Sequence, residues 1–552
     1  MSMTTIWSRS TNLAVAAFCA LGIGIIIAVA AQPVFAASVD QSGLPPANDP
    51  LVQLAQRVFP NLTPCEINVL HAAASGDFSA CTAGIRKDQD VDESDPLNDP
   101  SKGAAWSPDR TLRAALLRWL FFDRQALKYL YPTGVQIRGA RIPDYIDLHN
   151  FTIPVELRIS YCYLPHGMDL RGAKISELHL WHSYSGPLRF GSITVSHDLY
   201  LYADTISAGK EPVYRGLIDL NDAQIGGVLR LDDSRVMYGG APGSTSVSAM
   251  RLHAKDGVSL DDFRTDGVLN LIGANINADL IIGAKFVGPG LNGLMAWGAT
   301  VTGRLWWTGI TTTPRTFLDL TDAKVGSLTD DEASWPSQDN LSIDGFVYNR
   351  LDCPENVRDV DCAIDAATRL KWLGLQTSNR YFPQPYRQLA SVLTARGDMS
   401  GARTVLIAAQ NQEMRAGDLS VMQRVWGWLL WATIDYGYES TWALLWAAII
   451  TISGGVIVRM AHAAGVMKPA QPERKVAAPM AYSIDLFVPI VDLRLQRNCW
   501  PDPTAHGTAT FLGRKISVSG SAVRAYLWFQ IVAGYMLTGL FVAGLSGLVH
   551  NR

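Results

Sequence analysis

The stretch "LIDLNDAQIGGVLRLDDSRV", residues 217–236, decides the fold. Its apolar and small positions are Ile218, Leu220, Ala223, Ile225, Leu229, Leu231 and Val236, so it alternates like a strand but keeps breaking and restarting. The same form recurs in "GVQIRGARIPDYIDL", "GMDLRGAKISELHL", "GVLNLIGANINADLII" and "TFLDLTDAKVGSL". Each has an apolar pair, then a small residue, then further apolar positions. The small positions are Ala140, Ala173, Ala223, Ala274 and Ala323, with Cys162, Ser234 and Ala284 between some of them. Near neighbours in that series lie about ten, eleven or twenty-two residues apart, as repeat units do. Insertions such as "MYGGAPGSTSVSA" widen some gaps.

Strands this short, without a turn signal for each hairpin, pair in parallel if the chain winds and each coil stacks on the last. The expected fold is therefore mainly β, a right-handed parallel β-helix (a solenoid) over residues 134–348. Leu, Ile and Val would form ladders inside, and the small residues would sit where the coil turns tightly.

Such a tube has two open ends that need covers. Residues 37–133 read as a helical cap. "TPCEINVLHAAA" opens with Thr63, Pro64 and Glu66, a capping box. "SPDRTLRAALLRWLFFDRQALKYLY" starts with Ser107 and Pro108 and places Leu112, Leu116, Trp119 and Leu120 on one stripe, predicting a helix over 108–131. "WPSQDNLSIDGFVYNRL" reads as an irregular closing coil. Residues 349–440 read as helical, with a helix-turn-helix pair turning at Arg396-Gly397-Asp398 over the second end. "RVWGWLLWATIDYGYES" within them has the Trp and Tyr of an interfacial anchor.

The hydrophobic content of 48% is concentrated at the termini. Residues 1–36 read as a signal peptide or an N-terminal anchor: Arg9, an apolar run, then "VFA" ending at Ala36. Residues 441–458 and 524–549 are long enough to span a membrane. The segment between them, 459–523, holds Arg459, Lys468, Arg474, Lys475, Arg494, Arg497, Arg514 and Lys515 against Glu473, Asp485, Asp492 and Asp502. The positive-inside rule makes it cytoplasmic and puts residues 37–440 in the periplasm. Its "YSIDLFVPIVDL" reads as an interfacial helix with Asp485 and Asp492 near the headgroups. In an oxidising compartment Cys65 with Cys81 and Cys353 with Cys362 read as two disulfides, the alternative being unpaired core thiols.

The segments "RTLRAALLRWL", "GARI", "GAKI", "QPYRQLASVLTARGDMSGARTVLIAAQ", "IDYGYESTWALLW" and "YSIDLFVPIVDL" together resemble a family of bacterial membrane proteins with pentapeptide-like β-helical repeats. Some relatives there carry an automatic label of membrane-associated oxidoreductase. The resemblance implies a fold and a location but no catalytic residue.

A net charge of −3 gives no field for nucleic acid. No dinucleotide fingerprint, Cys-x-x-Cys or haem motif supports a cofactor. Asp88, Asp90 and Asp92 begin a calcium-loop pattern, but Glu93 and Asp99 break it. Cys162, His166, His179 and His182 fall within about one coil, though surface histidines and a core thiol explain them without a metal. Asp232, Asp233, Asp261 and Asp262 are the candidate catalytic residues, as paired carboxylates for an envelope polysaccharide-acting enzyme. Alternating polar positions on a solvated strand explain them equally. The leading expectation is a non-catalytic scaffold, binding or sensing module at the inner membrane, facing an envelope protein or a glycan. A channel or transport role comes third, because the spans carry almost no polar residues.

Overall fold

The computed structural model describes residues 49–77, 79–81, 98–207, 217–238, 243–353, 363–377, 380–416, 419–437, 441–469, 478–488, 495, 499–511 and 513–545. The expected signal or anchor (1–36), the calcium-like aspartates 88, 90 and 92, Cys362 and Asp492 lie outside the described residues.

The middle of the chain is a parallel β-solenoid of about nine turns. Each coil has four short sides. One coil runs through Met168–Asp169, Lys174–Ile175, Leu178–Trp181 and Tyr184–Ser185 before returning to the first side at Leu188–Arg189. Every side pairs in register with the same side one coil away: Met168 with Leu188, Ile175 with Val195, Leu178 with Leu199 and Tyr184 with Thr205. Inward residues stack as apolar ladders, for example Leu157, Leu178, Leu199 and Leu229 on the third side, all nearly inaccessible. Apolar burial of this kind, at roughly 25 cal/mol per Å², is the main force holding the coils together.

The small residues belong to two different corners. Ala173, Ala223, Ala274 and Ala323 follow Gly172, Asp222, Gly273 and Asp322, all left-handed, at the turn from the first side to the second. Ala140, Cys162 and Ser234 follow Gly139, Tyr161 and Asp233, also left-handed, at the turn from the third side to the fourth. Each left-handed residue swings the chain through the corner, and the next side chain points into the narrowed interior.

At the first end, α1 (Pro50–Gln56), α2 (Pro64–Ser75) and α3 (Ala114–Phe122) form the cap. The capping box at Thr63 is present, and Glu66 does more than close it. Its fully buried carboxylate also accepts from Arg113, Nε to Oε1 at 2.6 Å and NH2 to Oε2 at 2.6 Å. The sulfurs of Cys65 and Cys81 are at bonding distance, as expected. The single helix expected over 108–131 is instead broken. Thr111 bridges in parallel to Arg141, and the Leu112 N–H donates to the Arg141 carbonyl, so this stretch is drawn into the sheet and helix begins only at Ala114. Ser79–Ala80 likewise adds a short strand to a region expected to be helical.

At the second end the coil continues past residue 348 to Asp352, so "WPSQDNLSIDGFVYNRL" is an in-register coil rather than an irregular one. It is covered by α4 (Ala366–Leu373), α5 (Pro383–Ala395) and α6 (Met399–Ala416). Gln384 of α5 accepts from the Gly345 N–H and donates to the Phe346 carbonyl, and Gln388 donates to the Tyr348 carbonyl. These amides take the place of a further coil. Below them Arg369 and Asp330, both fully buried, form a two-point ion pair between Trp335 and Trp372. Cys353 is disulfide-bonded.

The exposed, Trp-rich α7 (Val421–Ile434) leads to α8 (Thr441–Ala463), α9 (Pro479–Phe487) and α10 (Gly520–Leu545). Trp442–Ala463 and Gly520–Val542 are long and apolar enough to cross a membrane. The segment expected as one basic loop also contains α9 and two antiparallel strand pairs, Met467–Pro469 with Cys499–Pro501 and His506–Phe511 with Arg514–Ser519.

Candidate binding face on the solenoid

The outer surface of the corner between the third and fourth sides carries a row of aromatic and then acidic side chains. Backbone hydrogen bonds fix the equivalence of successive coils there: Tyr161 N–H to Trp181 O, His182 N–H to Tyr202 O, Ala203 N–H to Asp232 O, and Asp233 N–H to Asp261 O. Going along the tube, the ridge reads Tyr161, then Trp181-His182, then Tyr202-Ala203, then Asp232-Asp233, then Asp261-Asp262. Parallel strands lie about 4.8 Å apart, so side chains at equivalent positions meet.

They meet as rings in the first coils. Tyr161 stacks on His182 with centroids 5.1 Å apart, His179 on Tyr200 at 4.6 Å and Tyr163 on Tyr184 at 5.5 Å. Trp181 breaks this order. It is tilted 42° to Tyr161 and 67° to Tyr202, and it stays 39% exposed. Planar charged groups surround the rings. His179 Nε2 is 2.7 Å from Glu177 and 3.5 Å from Glu156, Arg158 pairs with Glu156 at 2.6 Å, and the Tyr200 hydroxyl donates to Asp198 at 2.9 Å.

The four candidate aspartates continue the same ridge, but as turn and bracing residues. Asp232 accepts from the Ser259 hydroxyl at 2.5 Å and the Asp261 N–H at 2.9 Å, and lies 3.3 Å from Arg230. Asp261 accepts from the Asp262 N–H at 3.1 Å, and Asp262 pairs with Lys285. Asp233 and Asp262 occupy the left-handed corner position, and Asp233 holds the Tyr202 hydroxyl, pushing that phenol's pKa up. The structure brings all four to one corner of two adjacent coils, and each has at least one carboxylate contact within the fold.

Inside the same corner is a polar ladder that the sequence pattern did not reveal. The Ala140 N–H meets Cys162 Sγ at 3.3 Å, the Cys162 N–H donates to the Ser183 hydroxyl at 3.2 Å, and the Ser183 N–H donates to Asp204 Oδ1 at 2.7 Å. The Asp204 N–H in turn donates to the Ser234 hydroxyl at 3.0 Å. Burial pushes the Cys162 thiol up to about 12, so it stays protonated at neutral pH and is a poor nucleophile. Burial also raises the Asp204 carboxyl well above its ordinary value, and its Oδ2 has no partner among the described residues. No group of three or more potential metal ligands occurs among the described residues. A void of about 10 Å³ between Leu229, Val258 and Leu269 has apolar walls and room for no more than about one water, so at that level the tube is a filled core.

The aromatic ridge was overlooked because its members look unrelated in sequence. The signal was available: Tyr161, His182 and Ala203 each precede a small or polar corner residue, and Tyr163 and Tyr184 each follow one. No family model matches the chain, and no curated protein matches it.

Proposed function

We propose that the protein is a membrane-anchored, non-catalytic binding module. Its solenoid stands on the periplasmic side of a bacterial inner membrane and holds an envelope glycan against the aromatic corner. Trp181 carries this reading. It stands out from a stack of amphipathic rings with its surface open, two residues along the strand from His179, around which Glu156, Glu177 and Arg158 gather carboxylate and guanidinium groups that can hydrogen-bond sugar hydroxyls. A ring of that kind offers apolar area at little entropic cost, with polar groups fixed around it by the ladder. The periplasmic placement is supported by the basic segment between the two apolar helices and by the Cys65–Cys81 bridge. An enzymatic reading gains nothing from the aspartates, since each is used by the fold.

Sedimentation of the purified full-length protein with insoluble peptidoglycan, and calorimetry with its soluble fragments, test the proposal. Trp181→Ala should weaken binding by roughly tenfold or more, as truncating an aromatic anchor does. Asp261→Asn, in the later coils, should leave binding unchanged. Equal binding by wild type and Trp181→Ala, or none by the wild type, would overturn the assignment.

A further inference from the structure

Helix α9 has the sequence "PMAYSIDLF" and was expected to lie flat at a membrane surface. Its contacts lie on the middles of the two long apolar helices. The Ser483 hydroxyl donates to the Thr451 carbonyl at 2.7 Å, and Thr451 is about halfway along α8. Gln530, about halfway along α10 and fully buried, donates its amide to the Ser483 carbonyl at 2.9 Å and hydroxyl at 2.7 Å. At the far end of α9, Phe487 packs with Ala443 and Leu537.

The two long helices are cut away to admit it. A Cβ at Gly454 would collide with the Ser483 hydroxyl and the Gln530 amide, one at Gly455 with Met480, and one at Gly534 with the Phe487 carbonyl. From Met480 beside Gly455 to Phe487 beside Ala443, α9 therefore runs antiparallel to α8 and parallel to α10. The chain then returns. The Tyr482 hydroxyl donates to the Cys499 carbonyl at 2.9 Å, and Cys499–Pro501 pairs with Met467–Pro469, just past the end of α8.

A helix that crosses a bilayer places its middle about 15 Å from either face of the hydrocarbon. Ser483 and Gln530 would be stranded polar groups at that depth unless they met each other, and they do. The remaining face of α9 is apolar: Met480 and Ile484, four residues apart, are exposed, whereas Tyr482, Ser483, Asp485, Leu486 and Phe487 are buried. This is the pattern of a helix with lipid on one side and protein on the other.

We propose that α9 is a re-entrant membrane helix, entering and leaving from the side that carries Met467–Pro469, with Met480 and Ile484 facing lipid acyl chains. The proposal rests on α8 and α10 being membrane spans. It is tested by spin-labelling the full-length protein in phospholipid vesicles at Ile484→Cys and Met480→Cys. Ile452→Cys on the exposed face of α8 serves as the lipid standard and Lys468→Cys as the water standard, each read against the unsubstituted chain. The readout is collision with oxygen relative to a water-soluble nickel chelate.

Ile484 should match Ile452, with a ratio roughly tenfold above Lys468 because water is excluded at that depth, and Met480 should fall between the standards. If Ile452 reads as lipid while Ile484 and Met480 read as water, α9 is interfacial and the proposal fails alone. If Ile452 itself reads as water, the membrane spans fail and α9 falls with them.

Discussion

Asp204 tests whether the interior of the tube has been understood. It is 1% exposed, and burial raises its pKa against a single opposing interaction, the Ser183 N–H. The folded chain therefore keeps a proton that the unfolded chain releases near the ordinary carboxylate value of 3.8. Stability held through that proton is fully present below 3.8. It is lost as pH rises toward the folded pKa, at about 1.4 kcal/mol per pH unit. Asp204→Ser should remove this loss. Serine already occupies the same corner one coil to either side, at Ser183 and Ser234, and its hydroxyl can accept the Ser183 N–H as theirs accept their neighbours'. Removing the unpartnered Oδ2 recovers about 1–3 kcal/mol, offset by about 1 kcal/mol for the small void left behind. The assay is the urea midpoint of the purified full-length protein from pH 4 to 8, with Asp204→Asn as an uncharged isostere. Other carboxylates titrate equally in both chains, so the difference isolates Asp204. The variant should gain on the wild type steadily as pH rises. Parallel curves, or a wild type that gains on the variant, would mean that Asp204 is ionised and paired in the tube, and the reasoning would be wrong.

Arg369→Met strands Asp330 beside Trp335 and should cost about 3–5 kcal/mol in thermal unfolding, most of it recovered when Asp330→Leu is added. Cys65→Ser with Cys81→Ser opens a link of sequence separation 16 and should cost about 3 kcal/mol, so that reductant, which also opens the bond at Cys353, should lower the wild type by about that much more than it lowers the variant. Gln384→Ala with Gln388→Ala unpairs Gly345, Phe346 and Tyr348, at about 1 kcal/mol for each lost bond. Hydrogen exchange should then quicken over residues 341–352 and stay unchanged over 178–202.

The winding of the chain was legible in its sequence because inward positions repeat, and repetition survives insertions. The four-sided section was not. Ala173 and Cys162 lie at different corners, yet each follows a left-handed residue and each is small, so both appear in one series with about half a coil between them. The broken helix after Ser107 shows a tertiary contact overriding local preference: "SPDR" starts a helix well, but pairing of Thr111 with Arg141 extends the first coil and takes precedence. The aspartate pairs were candidates because paired carboxylates can divide acid and base roles. A left-handed corner favours Asp, and the residue before it can brace the next coil, so one repeat produces a pair without any reaction. The setting of α9 was invisible because it depends on glycines in two other helices.

The two ends of the tube are both covered, which leaves its lateral surface as the accessible part of the solenoid. Glu66 with Arg113 and Asp330 with Arg369 each place a buried carboxylate under a cap, held by a guanidinium at two points. A buried pair adds little net stability over apolar packing, but removing either member is costly, so each pair enforces one way of seating its cap. The sheet edges beneath are further occupied, by the bridge of Thr111 to Arg141 at one end and by Gln384 and Gln388 at the other. Additional coils therefore cannot stack on, and ligands cannot enter along the axis. What remains accessible is the lateral surface. There the αL corner offers the same position coil after coil, and exchanging the residue at that position changes the surface without disturbing the winding. Over five coils it holds Tyr161, His182, Ala203, Asp233 and Asp262, rings at one end and carboxylates at the other. On the proposed reading, a glycan lying parallel to the tube axis would meet these residues in order, so Trp181→Ala should lower any preference for one chain direction as well as the affinity, read by comparing binding of glycan fragments labelled at one end or the other.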